Sequence, residues 1–510
     1  MPDQLPILTR LAGVIAPGLE APKMDIRGLL KDLFKERYYQ KHGEESIFRD
    51  AYSLAEGDIG VPWAGLIHPE NATSGPYGGT SVVWMPSKEN GSILTLVVGT
   101  KGLSPDEGIL TRPGHRRRVA ALRRYLAGLG VEGWTKPDPA ALGVEVPEEV
   151  QRRFPGFEAA FKGYGHEFFC VAHVPQHDLA QAERVVQAFF YLYPLERGWE
   201  VLKAAKEEFL AFESDLRSQV FPSVDVAQVD QVLRARRFVI LQGPPGTGKT
   251  RLTAQIAAQF FSSRAMTVQF HPAVTYEDFV VGLSPDPTDA GLRFQVRKGW
   301  LLNAVEAAAQ QPFLLVVDEV NRADLGKVLG EAIYLFEAAE IGGEKPREVA
   351  LPHPVDGHTS LSLPPGLYVL ATMNTADRSV APIDLAIRRR FAFVTMMPSR
   401  EVVAGQSDEG VQRLATGVFD RLSDVFIEHA PDDALDLLPG HSYFLADSEA
   451  ALRERFRYEL LPLLDEYLRQ GFLGAATTEL HAVRDFVDDL VFGAHDATVS
   501  AGTEANGVGA

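Results

Sequence analysis

Apolar and polar positions follow three different rhythms along this chain. Up to about residue 205 the rhythm is mixed. "MDIRGLLKDLFKERYYQ" repeats its apolar residues at the three-and-four spacing of an amphipathic helix. "TSVVWMP" and "SILTLVVGT" read as two strands joined by the turn segment "SKENG". "DLAQAERVVQAFFYLYP" predicts a helix ending at Pro194, and "GWEVLKAAKEEFLAFESDLRSQV" a charged connecting helix. From about residue 222 to 396, short unbroken apolar runs alternate with helical segments, the pattern of a parallel sheet. Beyond that only helical periodicity remains, in "VQRLATGVFDRLSDVFIEHA", "ALRERFRYELLPLLDEYLRQG" and "TTELHAVRDFVDDLVFGA". The pattern divides the chain into an α+β domain over 1–205, a linker helix over 206–221, an α/β domain over 222–396, a helical domain over 397–493 and a disordered tail over 494–510. No internal repeat is visible.

Composition narrows the class. At 510 residues the chain exceeds a single core, in keeping with several domains. No apolar run approaches the roughly 18 residues that cross a bilayer, and the N-terminus lacks the basic start and unbroken apolar core of a signal peptide. Cys170 is the only cysteine, which rules out an intrachain disulfide and argues against a cysteine zinc site. A cytoplasmic protein without a membrane partner is expected. The net charge of -18 disfavours bulk nucleic-acid binding, but it is unevenly spread. Residues 1–200 hold 22 Lys/Arg against 25 Asp/Glu. Within them "TRPGHRRRVAALRRYLAG" gathers Arg116, Arg117 and Arg118, either as a solvated helix face or as a phosphate-contacting patch.

The sharpest signal is "RFVILQGPPGTGKTRLTAQIAAQF". A buried-strand run leads into Gly243, Pro244, Pro245, Gly246, Thr247, Gly248, Lys249 and Thr250, the pattern G-x-x-x-x-G-K-[ST], and a helix follows. Glycines let backbone N–H groups approach phosphates, Lys249 neutralises them, and the Thr250 hydroxyl suits Mg²⁺. Arg251 adjoins this nucleotide-binding set. A second strand, Phe313 to Val317, ends at Asp318 and Glu319, 69 residues past Lys249 (249 to 318). Asp318 suits Mg²⁺; Glu319 suits the orientation and deprotonation of an attacking water.

A third strand, "LYVLATMN", ends at Asn374. A polar tip there either bonds the attacking water or the γ-phosphate, or caps a turn, as asparagine often does. After "APIDLAI" come Arg388, Arg389 and Arg390, which are either a surface cluster or donors reaching a neighbouring subunit's nucleotide.

In order, "GPPGTGKT", "QFHPAVTYEDFVVGL", "LVVDEVNRADLGKVLGEAIYLFE", "MNTADRS", "AIRRRF", "LPGHSYFL" and "RYELLPLLDEYL" resemble the McrB-type AAA+ NTPases over about residues 222–485. The MoxR-type ATPases are the nearest rival; they share "DEVNRA" but generally lack "MNTADRS". The resemblance implies an AAA+ parallel-sheet domain with an all-helical lid. It implies a Mg²⁺-dependent GTP- or ATP-hydrolysing ring, hexameric in expectation, that drives DNA translocation for a separate McrC-like nuclease in DNA restriction. Asn374 becomes the sensor and water-positioning residue, Asp377 and Arg378 members of the same catalytic loop, and Arg389 and Arg390 the arginine-finger candidates. "PGHSYF" opens the lid over the nucleotide, or is a loop with a packed aromatic pair. "FHPAVTYEDFVVG", with His271, Tyr276, Glu277 and Asp278, is a conformational or pore-side element, or packing.

The N-terminal region weakly resembles the MrcB-like domain attached to some of these motors. That implies DNA recognition, with Trp63, Tyr77 and Trp84 as candidates for stacking on a base or, equally, as core residues. In the MoxR-like alternative this domain would bind protein instead.

Overall fold

A computed structural model describes residues 5–20, 26–51, 61–285, 293–377 and 383–500. The chain divides into two compact units: Met1–Phe221 with Ile427–Ala430, and Pro222–Phe426 with Pro431–Ala510.

The first unit is built on a six-stranded sheet. Its strands are β1 (Ile47–Ala51), β2 (Trp63–Ile67), β3 (Thr80–Pro86), β4 (Ser92–Val98), β5 (Gly133–Thr135) and β6 (Phe168–Val174), in the order β1-β2-β3-β4-β6-β5. All pairings are antiparallel, and β3 and β4 form the hairpin predicted from "TSVVWMP" and "SILTLVV". Because side chains alternate along a strand, the sheet has two different faces. Val82, Trp84, Leu94 and Leu96 face one core with helices α1 (Ile7–Ile15), α2 (Ile26–Glu36), α3 (Pro113–Gly128), α4 (Leu179–Glu196) and α5 (Lys206–Val220). Val83, Met85, Ile93 and Val171 face a smaller core with Phe154, Phe157 and Phe161.

Two helices of the first unit differ from the sequence reading. Helix α4 runs past Pro194 to Glu196. A proline there removes the hydrogen bond to the carbonyl of residue 190. That carbonyl, on Phe190, accepts instead from the buried Tyr38 hydroxyl at 2.8 Å, so the helix continues. Helix α5, expected as a linker, buries Phe209, Phe212 and Leu216 in the first core.

The second unit begins with α6 (Val226–Arg236), whose Asp225 and Gln228 form a reciprocal capping box. Strands β7 (Phe238–Gly243), β8 (Ala265–Gln269), β11 (Phe313–Asp318), β14 (Leu367–Asn374) and β15 (Ala392–Thr395) form one parallel sheet in the order β15-β7-β14-β11-β8. Two short antiparallel pairs, β9 (Val281–Pro285) with β10 (Phe294–Lys298) and β12 (Val349–Val355) with β13 (His358–Leu361), lie beside it in sequence. Both faces of the parallel sheet are covered, as unbroken apolar strands require. Phe238, Ile240, Leu315, Val317, Val369 and Ala371 enter one core, and Val239, Leu241, Leu314, Val316 and Leu370 the other. Helix α7 (Lys249–Phe260) follows β7, α8 (Trp300–Ala308) precedes β11, and α9 (Leu385–Arg390) precedes β15. The lid helices are α10 (Glu409–Glu428), α11 (Glu449–Arg455), α12 (Leu461–Gln470) and α13 (Thr477–Ser500), so a helix spans the first part of the segment expected as a tail.

Among the described residues no helix is long and apolar enough to cross a membrane.

Candidate nucleotide site

The parallel order places the carboxyl ends of β7, β11 and β14 side by side, where an α/β sheet offers its ligand crevice. In register, Asn374 of β14 pairs with Gly243 of β7, and the Thr375 amide donates to the Gly243 carbonyl at 3.2 Å. The tip of the third strand is thus stitched to the first residue of the glycine loop.

The loop turns into α7 through Gly248, whose φ of 78° lies in the left-handed region that favours glycine. Lys249 is buried at the first helical position. Its Nζ donates to the carbonyls of Gly243 (2.9 Å) and Pro244 (2.6 Å) and lies 3.4 Å from Thr247 Oγ1. Burial pushes its pKa down to about 8, against the opposing pull of Glu319, Asp318 and Asp436. Thr247 is also buried, its hydroxyl donating to Pro244 O at 3.0 Å.

Beyond β11 the carboxylates are held by a short chain of hydrogen bonds. Thr250 Oγ1 donates to Asp318 Oδ1 at 3.2 Å. Thr372, buried in β14, donates to the same oxygen and accepts the Glu319 amide at 3.1 Å. Glu319 adopts a φ of 55°, an uncommon conformation for a side-chain-bearing residue and one that concentrates at functional sites. Its carboxylate accepts from Asn374 Nδ2 and from Arg322 Nε, the latter at 3.3 Å. Asn321, also buried, donates from Nδ2 to the Asn374 carbonyl at 3.1 Å. The Asn374 side-chain amide is thus engaged by Glu319.

Mg²⁺ takes hard oxygen ligands, usually one or two from protein with water and phosphate completing the shell. The Thr250 hydroxyl and the Asp318 carboxylate, already within hydrogen-bond distance of one another at the crevice, fit that ion. No group of three or more His, Cys, Asp or Glu suited to a metal occurs among the described residues.

The three arginines of α9 point three ways. Arg390 Nη1 donates to Ala386 O at 2.8 Å within its own helix, and Arg388 lies over the Phe393 ring at 5.3 Å. Arg389 is 69% exposed, with Nη2 3.6 Å from Glu337 Oε2. Asp377 lies at the edge of the described stretch, and Arg378 falls outside the described residues. In "FHPAVTYEDFVVG", Thr275 and Asp278 form a capping box and the Tyr276 hydroxyl donates to Glu331 at 2.8 Å, while His271 is exposed.

The lid loop sits directly on the glycine loop. The Ser442 amide donates to Gly246 O at 3.0 Å. A Cβ on Gly440 would lie 2.2 Å from the Gly246 carbonyl carbon, so only glycine permits this approach. Sequence reasoning singled out neither Thr372 nor Asn321, and it gave His441 of the lid loop no role. Thr372 had one weak signal, a hydroxyl within an otherwise apolar buried strand; Asn321 and His441 sat inside quoted motifs without a partner to give them meaning.

In the first unit the arginine expectation needs correction. Three consecutive residues on a helix point about 100° apart, so Arg116, Arg117 and Arg118 cannot share one solvent face. Arg117 is buried. Arg118 donates through Nε (2.6 Å) and Nη2 (2.8 Å) to the buried carboxylate of Glu196. Although burial acts the other way, His115 and Arg118 hold that carboxyl well below the usual range. Arg116 is half-buried. Trp84 is likewise a core residue, its Nε1 donating to Ser92 Oγ at 2.6 Å. Trp63 and Tyr77 meet edge to face at 6.3 Å and line a cavity of about 520 Å³ whose wall includes Val83, Met85, Tyr164 and Glu167.

The sheet order, the glycine loop before α7 and the carboxylate pair at the end of β11 define a P-loop protein of the AAA class. Residues 238–391 match the family described as AAA domain (dynein-related subfamily). The chain is 29% identical over 351 residues to the Type IV methyl-directed restriction enzyme EcoKMcrB subunit of Escherichia coli K12, across 63% of this chain and 75% of that one. It is 24% identical over 190 residues to the Type II restriction enzyme BsuMI component YdiS of Bacillus subtilis, across 30% and 55% of the two chains. It is 25% identical over 264 residues to the uncharacterized protein YehL of E. coli, across 48% and 64%. Within the AAA class, the chain is similar to the McrB subunit of a restriction enzyme.

Proposed function

We propose that this protein hydrolyses GTP or ATP with Mg²⁺, assembles into a hexameric ring, and drives DNA translocation for a separate McrC-like nuclease in DNA restriction or defence against phage. The hydrogen-bonded chain from Thr250 through Asp318 and Thr372 to Glu319 and Asn374 is the observation that carries the reading. It joins an oxygen pair suited to Mg²⁺ to a carboxylate suited to water activation. Mg²⁺, held by Thr250 and Asp318, would neutralise charge on the phosphates. The loop amides at the start of α7 hold the phosphate oxygens, and Lys249 exchanges its carbonyl partners for them. Glu319 takes the proton from the attacking water, and Asn374 fixes the carboxylate's orientation. Arg389, the most exposed of the three arginines, reaches the nucleotide of a neighbouring subunit, with Arg390 bracing its helix. Asp377 and Arg378 complete the same loop.

The relatives' names support the restriction context, since one is a restriction-enzyme subunit and another a restriction-enzyme component. A negative overall charge fits DNA contact limited to the first unit, where Trp63 and Tyr77 offer aromatic faces to a base. Such a system works on DNA in the cytoplasm.

The test is hydrolysis of GTP and of ATP by the full chain, alone and with DNA and the nuclease subunit. Glu319→Gln should keep nucleotide binding and lose turnover by about 10²–10⁴. Unchanged turnover would remove Glu319 from the mechanism.

A further inference from the structure

His441 begins the short lid helix His441–Phe444, one residue after the Gly440 that touches the glycine loop. Its ring stands beside the start of α7. Nε2 lies 3.5 Å from the position a Cβ would take on Gly248, the residue that caps that helix. The other ring nitrogen is engaged: the Ser399 amide donates to Nδ1 at 3.4 Å. A neutral imidazole has one donor and one acceptor nitrogen. With Nδ1 accepting, the proton resides on Nε2, the nitrogen nearest the glycine loop. Burial, with Arg251 and Lys249 adding to it, pushes the His441 pKa down, in the direction that favours the neutral ring.

Lys249 and Arg251, cations in the first turn of the helix that Gly248 caps, both act on His441. A neutral donor aimed there meets an acceptor when an anion arrives. We propose that His441 is a substrate-contacting residue of the lid, whose Nε2–H donates to the diphosphate portion of the bound nucleotide and couples lid position to site occupancy. The inference rests on the nucleoside triphosphatase reading. It makes the lid loop part of the phosphate site, where the Gly440–Gly246 contact alone would make it only a neighbour. The Ser399 amide, in the segment that leads from β15 into the lid, then sets the tautomer that the phosphate contact needs.

Two substitutions separate the contact from the packing. Asparagine retains an acceptor near the Nδ1 position for the Ser399 amide but ends short of Gly248. Glutamine carries an amide donor about as far as Nε2. The full chain and its His441→Asn and His441→Gln variants would be titrated calorimetrically with GTP, GDP, ATP and ADP, and melted without nucleotide. The expected result is similar melting for all three proteins. H441N should bind the preferred di- and triphosphate about 10- to 100-fold more weakly, the span of a hydrogen bond to a charged group. H441Q should restore most of that affinity. Wild-type affinity in H441N, or H441Q as weak as H441N, would overturn the assignment while leaving the nucleotide reading intact. Failure of the unsubstituted chain to bind any of the four nucleotides would overturn both.

Discussion

The Asn374 side chain at the end of β14 donates to the Glu319 carboxylate just past the end of β11, although 55 residues separate them in sequence. Neighbouring parallel strands bring the two tips together, and Thr372, two residues before Asn374, ties the same pair of strands through the Glu319 amide. The geometry makes the end of β14 a brace for the carboxylate pair and for the backbone strain at Glu319.

Removing the brace should cost function more than binding. Thr372→Val keeps the shape of the side chain but leaves the part-buried Glu319 amide without its acceptor. About 1–3 kcal/mol of stability should be lost, read by chemical denaturation. Turnover should fall further than nucleotide affinity, because the phosphate-holding loop is untouched. An equal loss in both measurements would place Thr372 in general packing.

The exposure of Arg389 leads to a test between subunits. Arg389→Ala and Glu319→Gln should each be inactive as pure assemblies. Mixed, they should recover part of the activity, because some interfaces then join an intact Glu319 to an intact Arg389. Phosphate release across a series of mixing ratios reads the recovery. A flat, inactive series would show that Arg389 does not act across an interface.

Lys249 gives a pH dependence with a defined sign. Its pKa of about 8 in the folded protein lies below the ordinary lysine value of 10.5. Between these values the folded chain holds fewer protons than the unfolded chain, so the contribution of this group to stability rises with pH across that window. Bound phosphate favours the charged lysine. Nucleotide binding should therefore take up a proton above about pH 8 and weaken as pH rises further. Calorimetry in buffers of different ionisation enthalpy measures the uptake, and Lys249→Met should abolish it.

Arg118 and Trp63 should separate folding from recognition in the first unit. Arg118→Ala strips a donor pair from the buried Glu196 carboxylate and should destabilise the protein by about 3–5 kcal/mol, seen as earlier denaturation. The folded fraction should keep its affinity for DNA. Trp63→Ala removes an aromatic cavity wall and should weaken DNA binding with little effect on melting. The reverse pattern would return the arginine helix to the DNA surface.

Much of the second unit was legible from the residues in order. Strand runs of uniform apolar character mark a sheet covered on both faces, and the glycine, lysine, aspartate and asparagine positions follow from what phosphates and an attacking water demand. The glycine loop, Gly248 included, marked the turn into α7, whereas the Asp225 and Gln228 capping box at the start of α6 was seen only in the structure. Position along the chain was enough for the loop because it depends on its immediate neighbours.

Tertiary structure decided what depends on partners distant in sequence. It buried Arg117 and tied Arg118 of α3 to Glu196, far along the chain, while leaving Arg116 half-buried. It carried α4 past Pro194, because Tyr38 occupies the carbonyl that the proline leaves. It made Thr372 the link between Asp318 and Glu319, and set the His441 ring against Gly248. Hydrogen bonds of this kind require a donor and an acceptor within about 3 Å. Residues tens or hundreds of positions apart meet that condition only once the strands have paired and the lid has folded onto the loop.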